Sequence, residues 1–166
     1  SIDSRTIQSG QCFIAIKGAR FDGHGFVKEA IERGARVVIH SRGLPLETSP
    51  GVAFLRVRDT TIALQKLGEF IRKKWEGRLI GITGSMGKTT TRAFMATLLR
   101  EKFKVCESRG NLNNDIGLPL SLCRLREDHQ WAVVEMGMNH SGEIGLLAQL
   151  ATPDVAVLTN VAPVHL

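Results

Sequence analysis

A glycine-rich turn that carries a lysine and four threonines is the strongest chemical signal in the sequence. Residues 81–91 have the sequence GITGSMGKTTT. Glycines let a backbone approach phosphate oxygens closely, and the N–H groups at the start of a helix add positive potential. Lys88 supplies a point charge for nucleotide phosphates, and the Thr89 hydroxyl can bind Mg²⁺. The pattern predicts a phosphate loop made of Thr83, Gly84, Ser85, Met86, Gly87, Lys88, Thr89 and Thr90.

This loop departs from the general G-x-x-x-x-G-K-[ST] template. Ile82 stands where the first glycine of the template belongs, and Gly81 comes one place too early. The alternative is a strand-to-helix turn with an incidental lysine, but a strand before the loop and a helix after it favour phosphate binding. GTPases and kinases also carry phosphate loops, so the loop indicates nucleotide binding without specifying one reaction.

An acidic residue follows an apolar strand beyond the loop. Glu135 lies near the end of the run WAVVEM at residues 131–136. Ligands collect at the carboxyl ends of strands in open α/β sheets, and a carboxylate there can hold Mg²⁺. The alternative is an exposed glutamate at a strand end, and the nearby phosphate loop favours the metal role. His140 and His165 would lie at the same edge, although either one alone is typical of a polar loop.

Three asparagines stand within four residues in the segment GNLNNDIGLP at 110–119. Asparagine side chains cap helices well, and a helix is expected to follow. The same amides could instead donate hydrogen bonds to phosphate or carboxylate oxygens. The local sequence leaves both interpretations open.

Strands and helices alternate along the chain, which predicts an α/β fold. Apolar runs predict strands at 11–16, 37–39, 54–57, 79–83, 131–136 and 154–160. The last two are continuously apolar, as in a parallel sheet covered on both faces. Helical spacing appears over 25–33 with Gly34 as C-cap, after Asp59 or Thr60 with a stripe of Leu64, Leu67, Ile71 and Trp75, and after Lys88 with Phe94, Leu98 and Leu99 on one side.

The character of the chain changes at the joint WEGR, residues 75–78. We therefore predict a boundary near Gly77, with a small α/β domain at 1–76 and a phosphate-loop domain at 77–166. The second domain would be a doubly wound, mostly parallel sheet. Because the sequence stops straight after a strand, we expect that sheet to be incomplete.

Composition narrows the class of protein. The net charge of +6 suits anionic ligands, but the basic residues are scattered, tyrosine is absent and aromatics are only 5%, which argues against nucleic acid. No apolar run approaches the roughly 20 residues of a membrane helix, and no signal peptide is visible. Three cysteines without a C-x-x-C pair indicate reduced, mostly buried thiols. We expect a cytoplasmic monomer without membrane insertion.

Several long motifs, in order along nearly the whole chain, resemble the Mur ligase family and most closely its MurF type. TGSMGKTTT resembles the family form of the phosphate loop, and GNLNNDIGLPL, EMGMNHSGEI and TNVAPVHL are similar to later motifs. In the first domain, DSR at 3–5, residues 10–18 and FDGHGF at 21–26 resemble the UDP-binding domain shared by MurE and MurF.

The resemblance implies a reaction and a role for individual residues. ATP would phosphorylate the terminal carboxylate of a UDP-N-acetylmuramoyl-tripeptide, and the amine of D-alanyl-D-alanine would displace phosphate. Lys88 and Asn114 would assist catalysis together with Glu135, and the metal ligands would be Thr89 and Glu135 for a first Mg²⁺ and His165 for a second. The implied substrate-binding residues are Ser4, Arg5, Asp22, Gly23, His24, Asn113 and His140.

Family members are much longer than this chain. The later part of the central domain, with a carbamylated lysine that helps hold the second Mg²⁺, and the C-terminal domain have no counterpart in these residues. We therefore expect the 166 residues alone to be inactive. Three alternatives remain: a MurE-type ligase, a nucleotide-binding module without turnover, and a nucleic-acid-dependent NTPase. The motifs at 111–117 and 138–144 favour MurF over MurE, and retention of Lys88, Thr89 and Glu135 argues against lost chemistry.

Overall fold

A computed structural model describes residues 1–18, 20–43 and 49–162. It divides into two compact units, residues 1–64 and residues 65–166. Both units are α/β with parallel strands, which confirms the predicted fold class.

The first unit is built on a three-stranded parallel sheet. Its strands are β1 (Cys12–Ile14), β2 (Val37–His40) and β3 (Ala53–Arg56), in that spatial order. A short 3₁₀ turn (Gly23–Phe26) leads into α1 (Val27–Glu32). Gly34 has φ +100°, which allows the chain to turn away after the helix as predicted. The core of this unit consists of Ile7, Phe13, Ala15, Val27, Ala30, Ala35 and Val38.

Helix α2 (Thr60–Lys74) begins in the first unit and ends in the second. The Asp59 carboxylate accepts hydrogen bonds from the N–H groups of Thr61 and Ile62, so Asp59 is the capping residue. Near the other end, Ile71 and Trp75 join the core of the second unit. For this reason the compact units separate after residue 64, inside the helix, whereas the sequence predicted a domain boundary near residue 77.

The second unit contains a four-stranded parallel sheet with the order β5-β6-β4-β7. The strands are β4 (Arg78–Thr83), β5 (Val105–Glu107), β6 (Trp131–Glu135) and β7 (Val155–Leu158). The connecting helices are α3 (Lys88–Arg100), α4 (Gly117–Leu122) and α5 (Glu143–Ala151). Since β4 lies between β6 and β7, the carboxyl ends of these three strands form one edge.

Two apolar clusters pack on this sheet. One joins Leu79, Ala132 and Val134 to helices α4 and α5, and the other joins Ile80, Ile82 and Val133 to α3. The face of α3 that packs contains Ala96, with Met95 and Leu99 beside it. Phe94 and Leu98 are instead 67% and 71% exposed. The predicted common side for Phe94, Leu98 and Leu99 is therefore wrong, because adjacent positions 98 and 99 point about 100° apart on a helix.

The three cysteines form no disulfide: Cys106 is buried, and Cys12 and Cys123 are half-buried. Burial raises the pKa of the Cys12 and Cys106 thiols above the ordinary value. Within the part of the chain that the structure describes, no helix is both long enough and apolar enough to cross a membrane.

Candidate active site

The phosphate loop connects the end of β4 to the start of α3, at the edge where the parallel strands end. Gly84 and Gly87 have φ angles of +132° and +81°, which L side chains adopt only with strain. A Cβ atom on Gly84 would also overlap the Thr159 Oγ1 atom. Both glycines are therefore required by the backbone of the loop, as the sequence indicated.

The backbone amides of the loop divide into two groups. The Ser85 N–H donates to the Asn160 carbonyl at 3.1 Å, and the Met86 N–H donates to the Asn160 side-chain oxygen at 2.9 Å. Gly87 is the N-cap of α3, and no side chain among the described residues caps this helix. The N–H groups at the start of α3, including those of Lys88, Thr89 and Thr90, therefore keep the hydrogen-bonding capacity of a helix N-terminus.

The Lys88 side chain folds back over the loop that precedes it. Its Nζ atom donates to the Gly84 carbonyl at 2.6 Å and lies 3.4 Å from the Ser85 carbonyl. The ammonium charge is thus held beside the helix N-terminus, where both favour an anion. Met86 is 59% exposed, so the loop faces open space.

Glu135 is buried at the end of β6, with only 3% of its surface exposed. Residue 135 pairs with Ile82 of β4 in the parallel register, which places its carboxylate beside the phosphate loop. The Thr89 hydroxyl donates to Glu135 Oε2 at 3.0 Å, and the Asn113 amide donates to Oε1 at 3.1 Å. The structure therefore brings together Thr89 and Glu135, the two residues that the sequence assigned to the first Mg²⁺.

This pair fits a magnesium ion by the chemistry of its atoms. A hydroxyl and a carboxylate are hard oxygen ligands, and Mg²⁺ is typically bound by one or two such groups together with water and phosphate oxygens. No group of three His, Cys, Asp or Glu residues among the described residues could form an all-protein site. His165, predicted to serve a second Mg²⁺, lies outside the described residues.

Arg92 is part of this constellation, and the sequence analysis did not identify it. The Arg92 Nη1 atom lies 3.5 Å from Glu135 Oε2 and donates to the Gly110 carbonyl at 3.0 Å. Its side chain is 11% exposed, and Glu107 lies on its other side with an N–O distance of 3.8 Å. A buried carboxylate needs a counter-charge of this kind. The available signal was its position three residues after Thr89, on the same face of α3.

The asparagine segment performs both of the roles that the sequence left open. The Asn114 Oδ1 atom accepts the N–H groups of Ile116 and Gly117, at the start of α4, so Asn114 caps that helix. Asn113 donates to Glu135, as described above. The Asn113 carbonyl also accepts the Gly137 N–H at 2.8 Å, which connects the segment to the loop after β6.

A cavity of about 230 Å³ opens beside the loop. Lys88 lies at one end, and the other walls come from the asparagine segment and the loop after β6. Both Asn113 and Asn114 line it. Its polar lining includes Lys88, Asn113, Asn114, Asp115, Asn139 and Glu143.

Glu143 organises the loop that forms one wall of this cavity. Its carboxylate accepts the backbone N–H groups of Asn139 at 2.6 Å and His140 at 3.1 Å, and its other oxygen lies 3.0 Å from the His140 ring. The Asn139 N–H, with further donation from His140, lowers the pKa of Glu143 to about 2. The His140 side chain is 83% exposed, so this predicted substrate-binding residue remains open to solvent.

In the first unit, His24 is held inside the protein. Its side chain is 2% exposed, and its Nε2 atom accepts the Ser41 backbone N–H at 3.0 Å. Because a backbone N–H can only donate, Nε2 carries no proton, and Nδ1 donates to Asp22 Oδ1 at 2.6 Å. Contact with the His24 N–H and imidazole lowers the pKa of Asp22. Arg42 also pairs with Asp22 at 3.1 Å.

The other predicted substrate-binding residues of this unit differ in accessibility. A Cβ on Gly23 would lie 2.8 Å from the Ile16 backbone, so close packing explains the glycine. Ser4 is 4% exposed, and its hydroxyl donates to Glu29 at 2.8 Å. Arg5 makes a two-atom contact with Asp3, yet its side chain is 78% exposed. Arg5 is therefore the most accessible cation of the predicted group.

Two family models match the chain. The Mur ligase middle domain matches residues 82–166, and the catalytic domain of the Mur ligase family matches residues 1–72. A UDP-N-acetylmuramoyl-tripeptide--D-alanyl-D-alanine ligase of Bacillus subtilis is 43% identical over 164 residues, which cover 99% of this chain and 36% of that protein.

Solved structures give the same result. The crystal structure of MurF from Acinetobacter baumannii has a TM-score of 0.89 at 40% identity, over 99% of this chain and 36% of that one. MurF ligase from Thermotoga maritima in complex with ADP has a TM-score of 0.81 at 37% identity, over 96% of this chain and 36% of that one. The chain thus spans about a third of the length of the proteins it matches.

Proposed function

Because the chain belongs to the Mur ligase family, we propose that the complete protein joins D-alanyl-D-alanine to a UDP-N-acetylmuramoyl-tripeptide with consumption of ATP. The names of the relatives support this assignment, and each of those described above is a MurF-type ligase. The chain spans only 36% of the length of its relatives, so the residues of the remaining part must complete the reaction. We place the protein in the cytoplasm, as a monomer.

The single observation that carries the proposal is the junction of Thr89, Glu135 and Asn113 beside Lys88. A hydroxyl, a carboxylate and an amide converge at hydrogen-bond distance, next to a helix N-terminus and an ammonium group. Phosphoryl transfer depends on positioning of oxygens and neutralisation of charge, and these are the groups that provide both.

Each residue has a role in the proposed reaction. Lys88 and the amides at the start of α3 hold the nucleotide phosphates, with Lys88 moving from the Gly84 carbonyl to phosphate oxygens. Thr89 and Glu135 would hold Mg²⁺, which supplies positive charge to the phosphate oxygens when bound. Asn113 orients the Glu135 carboxylate through its amide.

The cavity next to Lys88 has the position and polarity to receive the carboxylate that accepts phosphate. Its volume of about 230 Å³ suits the end of a peptide rather than a whole precursor. Asn114 would donate hydrogen bonds to this carboxylate from its Nδ2 atom, because its Oδ1 atom caps α4. Transfer of the γ-phosphoryl group of ATP to this carboxylate forms an acyl phosphate and releases ADP. The amine of the dipeptide then attacks the acyl carbon, and phosphate leaves.

We assign the UDP-linked end of the precursor to residues 1–76 and the nucleotide phosphates to residues 77–166. In the first domain, Arg5 is the exposed cation of the predicted set. The segment formed by Asp22, Gly23 and His24 would shape the loop that contacts the uridine diphosphate. Asp22 and His24 use their polar atoms in hydrogen bonds within the protein, and Gly23 is closely packed against the backbone of Ile16.

A nucleotide-binding module without turnover is the second candidate. The intact Thr89–Glu135 contact is compatible with both candidates, and the names of the relatives, which are ligases, favour turnover. The MurE-type alternative has no support from the relatives, whose names specify D-alanyl-D-alanine.

An assay of phosphate release tests the proposal. The complete protein should release phosphate from ATP only when UDP-N-acetylmuramoyl-tripeptide and D-alanyl-D-alanine are both present. A reaction with UDP-muramoyl-dipeptide and a single amino acid would support the MurE type instead. Release that responds to DNA or RNA, or that never occurs, would refute the ligase.

A further inference from the structure

The segment that follows β7, residues 159–162, is joined to the phosphate loop by hydrogen bonds along its length. The Thr159 hydroxyl donates to the Met86 carbonyl at 2.6 Å, and the Thr159 N–H donates to the Thr83 carbonyl at 3.0 Å. Asn160 accepts both the Ser85 and the Met86 N–H groups. These partners are more than 70 positions apart in the sequence, and the residue numbers of Met86 and Asn160 differ by 74.

Ser85 and residue 162 form a further reciprocal pair. The Ser85 hydroxyl donates to the Ala162 carbonyl at 3.0 Å, and the Ala162 N–H donates to the Ser85 hydroxyl oxygen at 3.0 Å. The first half of the phosphate loop is thus held as though it were paired with a neighbouring strand. The missing side chain of Gly84 is what allows this close approach, since a Cβ there would overlap Thr159 and the Asn160 backbone.

We propose that Thr159 and Asn160 are positioning residues for the nucleotide: Asn160 accepts the amides of Ser85 and Met86, Thr159 donates to the carbonyls of Thr83 and Met86, and together they leave the amides from Gly87 onward for phosphate. This inference deepens the proposed function, since it concerns the same phosphate loop. It depends on ATP binding and not on the identity of the peptide substrates. The physical reason is that a glycine-rich loop has high conformational entropy. Hydrogen bonds from residues outside the loop reduce the conformational entropy that is lost when phosphate binds.

The division of the amides follows from the geometry. An N–H group donates one strong hydrogen bond, so Ser85 and Met86 cannot serve Asn160 and a phosphate oxygen equally well. The start of α3 is uncapped by side chains of the described residues and is the stronger anion site.

Variants of Asn160 in the complete protein test this role. Asn160→Leu keeps the approximate size of the side chain and removes the acceptor for Met86, whereas Asn160→Asp keeps an acceptor oxygen. In nucleotide-free protein, hydrogen exchange of the Met86 amide should quicken by at least about tenfold in Asn160→Leu and stay slow in Asn160→Asp. Gln149→Leu, which changes an exposed amide on α5, should leave this exchange as it is in the wild type.

Nucleotide affinity provides the second readout. Calorimetric titration with ADP should show about tenfold weaker binding for Thr159→Val, which loses the hydroxyl, and near-normal binding for Thr159→Ser, which keeps it. Asn160→Leu should weaken ADP by a similar factor. Unchanged exchange and unchanged affinity in Asn160→Leu would overturn the proposal, and so would tighter ADP binding, because the segment would then compete with phosphate for the amides.

These measurements separate the proposal from the ligase assignment. Exchange of the Met86 amide and ADP affinity require no peptide substrate. If the wild-type protein fails to ligate while Asn160→Leu loses affinity as expected, the ligase proposal fails and the positioning role stands. If ligation is observed and Asn160→Leu binds ADP normally, the positioning role fails alone.

Discussion

The first unit and the second unit each contain a motif that sequence analysis assigned to ligand binding, and the two motifs differ in how their polar atoms are used. In the first unit both nitrogens of His24 are bonded to other parts of the protein, and its side chain is 2% exposed. In the second unit the start of α3 has no side-chain cap among the described residues, and Met86 is 59% exposed.

This difference shows that two motifs that the sequence assigns to ligand binding can act in different ways. One shapes a loop through internal hydrogen bonds, as Asp22 and His24 do. The other leaves donors unsatisfied at a helix end, where an anion can satisfy them. The comparison predicts that substitutions at the phosphate loop affect chemistry, whereas substitutions at His24 affect folding first.

The largest effect is expected for Lys88→Ala. Loss of the ammonium group removes the point charge beside the phosphates, so ligation by the complete protein should fall by roughly 10³-fold, with weaker ATP binding. Binding of the UDP-linked precursor should persist, since its proposed site lies in the other domain. Calorimetry with each ligand measures both, and Lys102→Ala, an exposed lysine, is the matched control. Wild-type ATP affinity in Lys88→Ala would show that the loop is not the phosphate site.

Glu135→Gln should have the next largest effect. The amide keeps the shape of the side chain and removes the charge, so the Mg²⁺ concentration for half-maximal nucleotide binding should rise by about tenfold or more. Arg92 also loses its buried counter-charge, so the protein should unfold at lower temperature. Glu127→Gln, at an exposed position, provides the control. A Mg²⁺ titration curve identical to that of the wild type would exclude Glu135 from the metal site.

His24→Ala tests the other side of the comparison. The change leaves the Ser41 N–H and the Asp22 carboxylate without their partner, which costs about 1–3 kcal/mol in the free energy of unfolding of the first unit. Denaturant unfolding, with hydrogen exchange of residues 20–43, measures this loss. His140→Ala, on an 83% exposed ring, should cost far less. If His24→Ala kept wild-type stability and lost precursor binding, His24 would be a ligand-contacting residue and the contrast between the units would disappear.

The smallest effect is expected when Glu143 is protonated at low pH. Its pKa is lowered from 4.5 to about 2 by donation from Asn139 and His140. A carboxyl group whose pKa is lower in the folded state stabilises that state at pH values above its pKa in the unfolded state. This stabilisation is lost as the pH falls from 4.5 towards 2. The protection of the Asn139 and His140 amides, measured as their exchange rate relative to the intrinsic rate at each pH, should therefore fall over this range in the wild type. Glu143→Gln should show faster exchange already at neutral pH, and a wild-type profile in that variant would contradict the assignment.

Much of the fold was predictable because its signals are local. Six apolar runs predicted strands, and a strand overlaps each of them, with ends that differ by at most two positions. The capping residue Asp59 and the positive φ of Gly34 followed from residue type. The exposure of Phe94 and Leu98 did not follow from residue type, because helical spacing identifies an apolar face without identifying what covers it.

For the site, the sequence alone predicted a phosphate loop and a metal role for Thr89 and for an acid at the end of a neighbouring strand, and it left two interpretations of the asparagine segment open. Glycine, lysine and hydroxyl residues have few other reasons to follow one another between a strand and a helix. The roles assigned to these residues, and that of His165, stay predictions.

Only the tertiary structure decided which donors of the site are already engaged. Arg92 approaches Glu135, and Asn160 occupies the amides of Ser85 and Met86 across 74 residues of chain. Such contacts depend on strand order and on parallel register, which bring distant carboxyl ends to one edge. A hydrogen bond depends on distances of a few tenths of an ångström, and residue types and spacing do not contain that information.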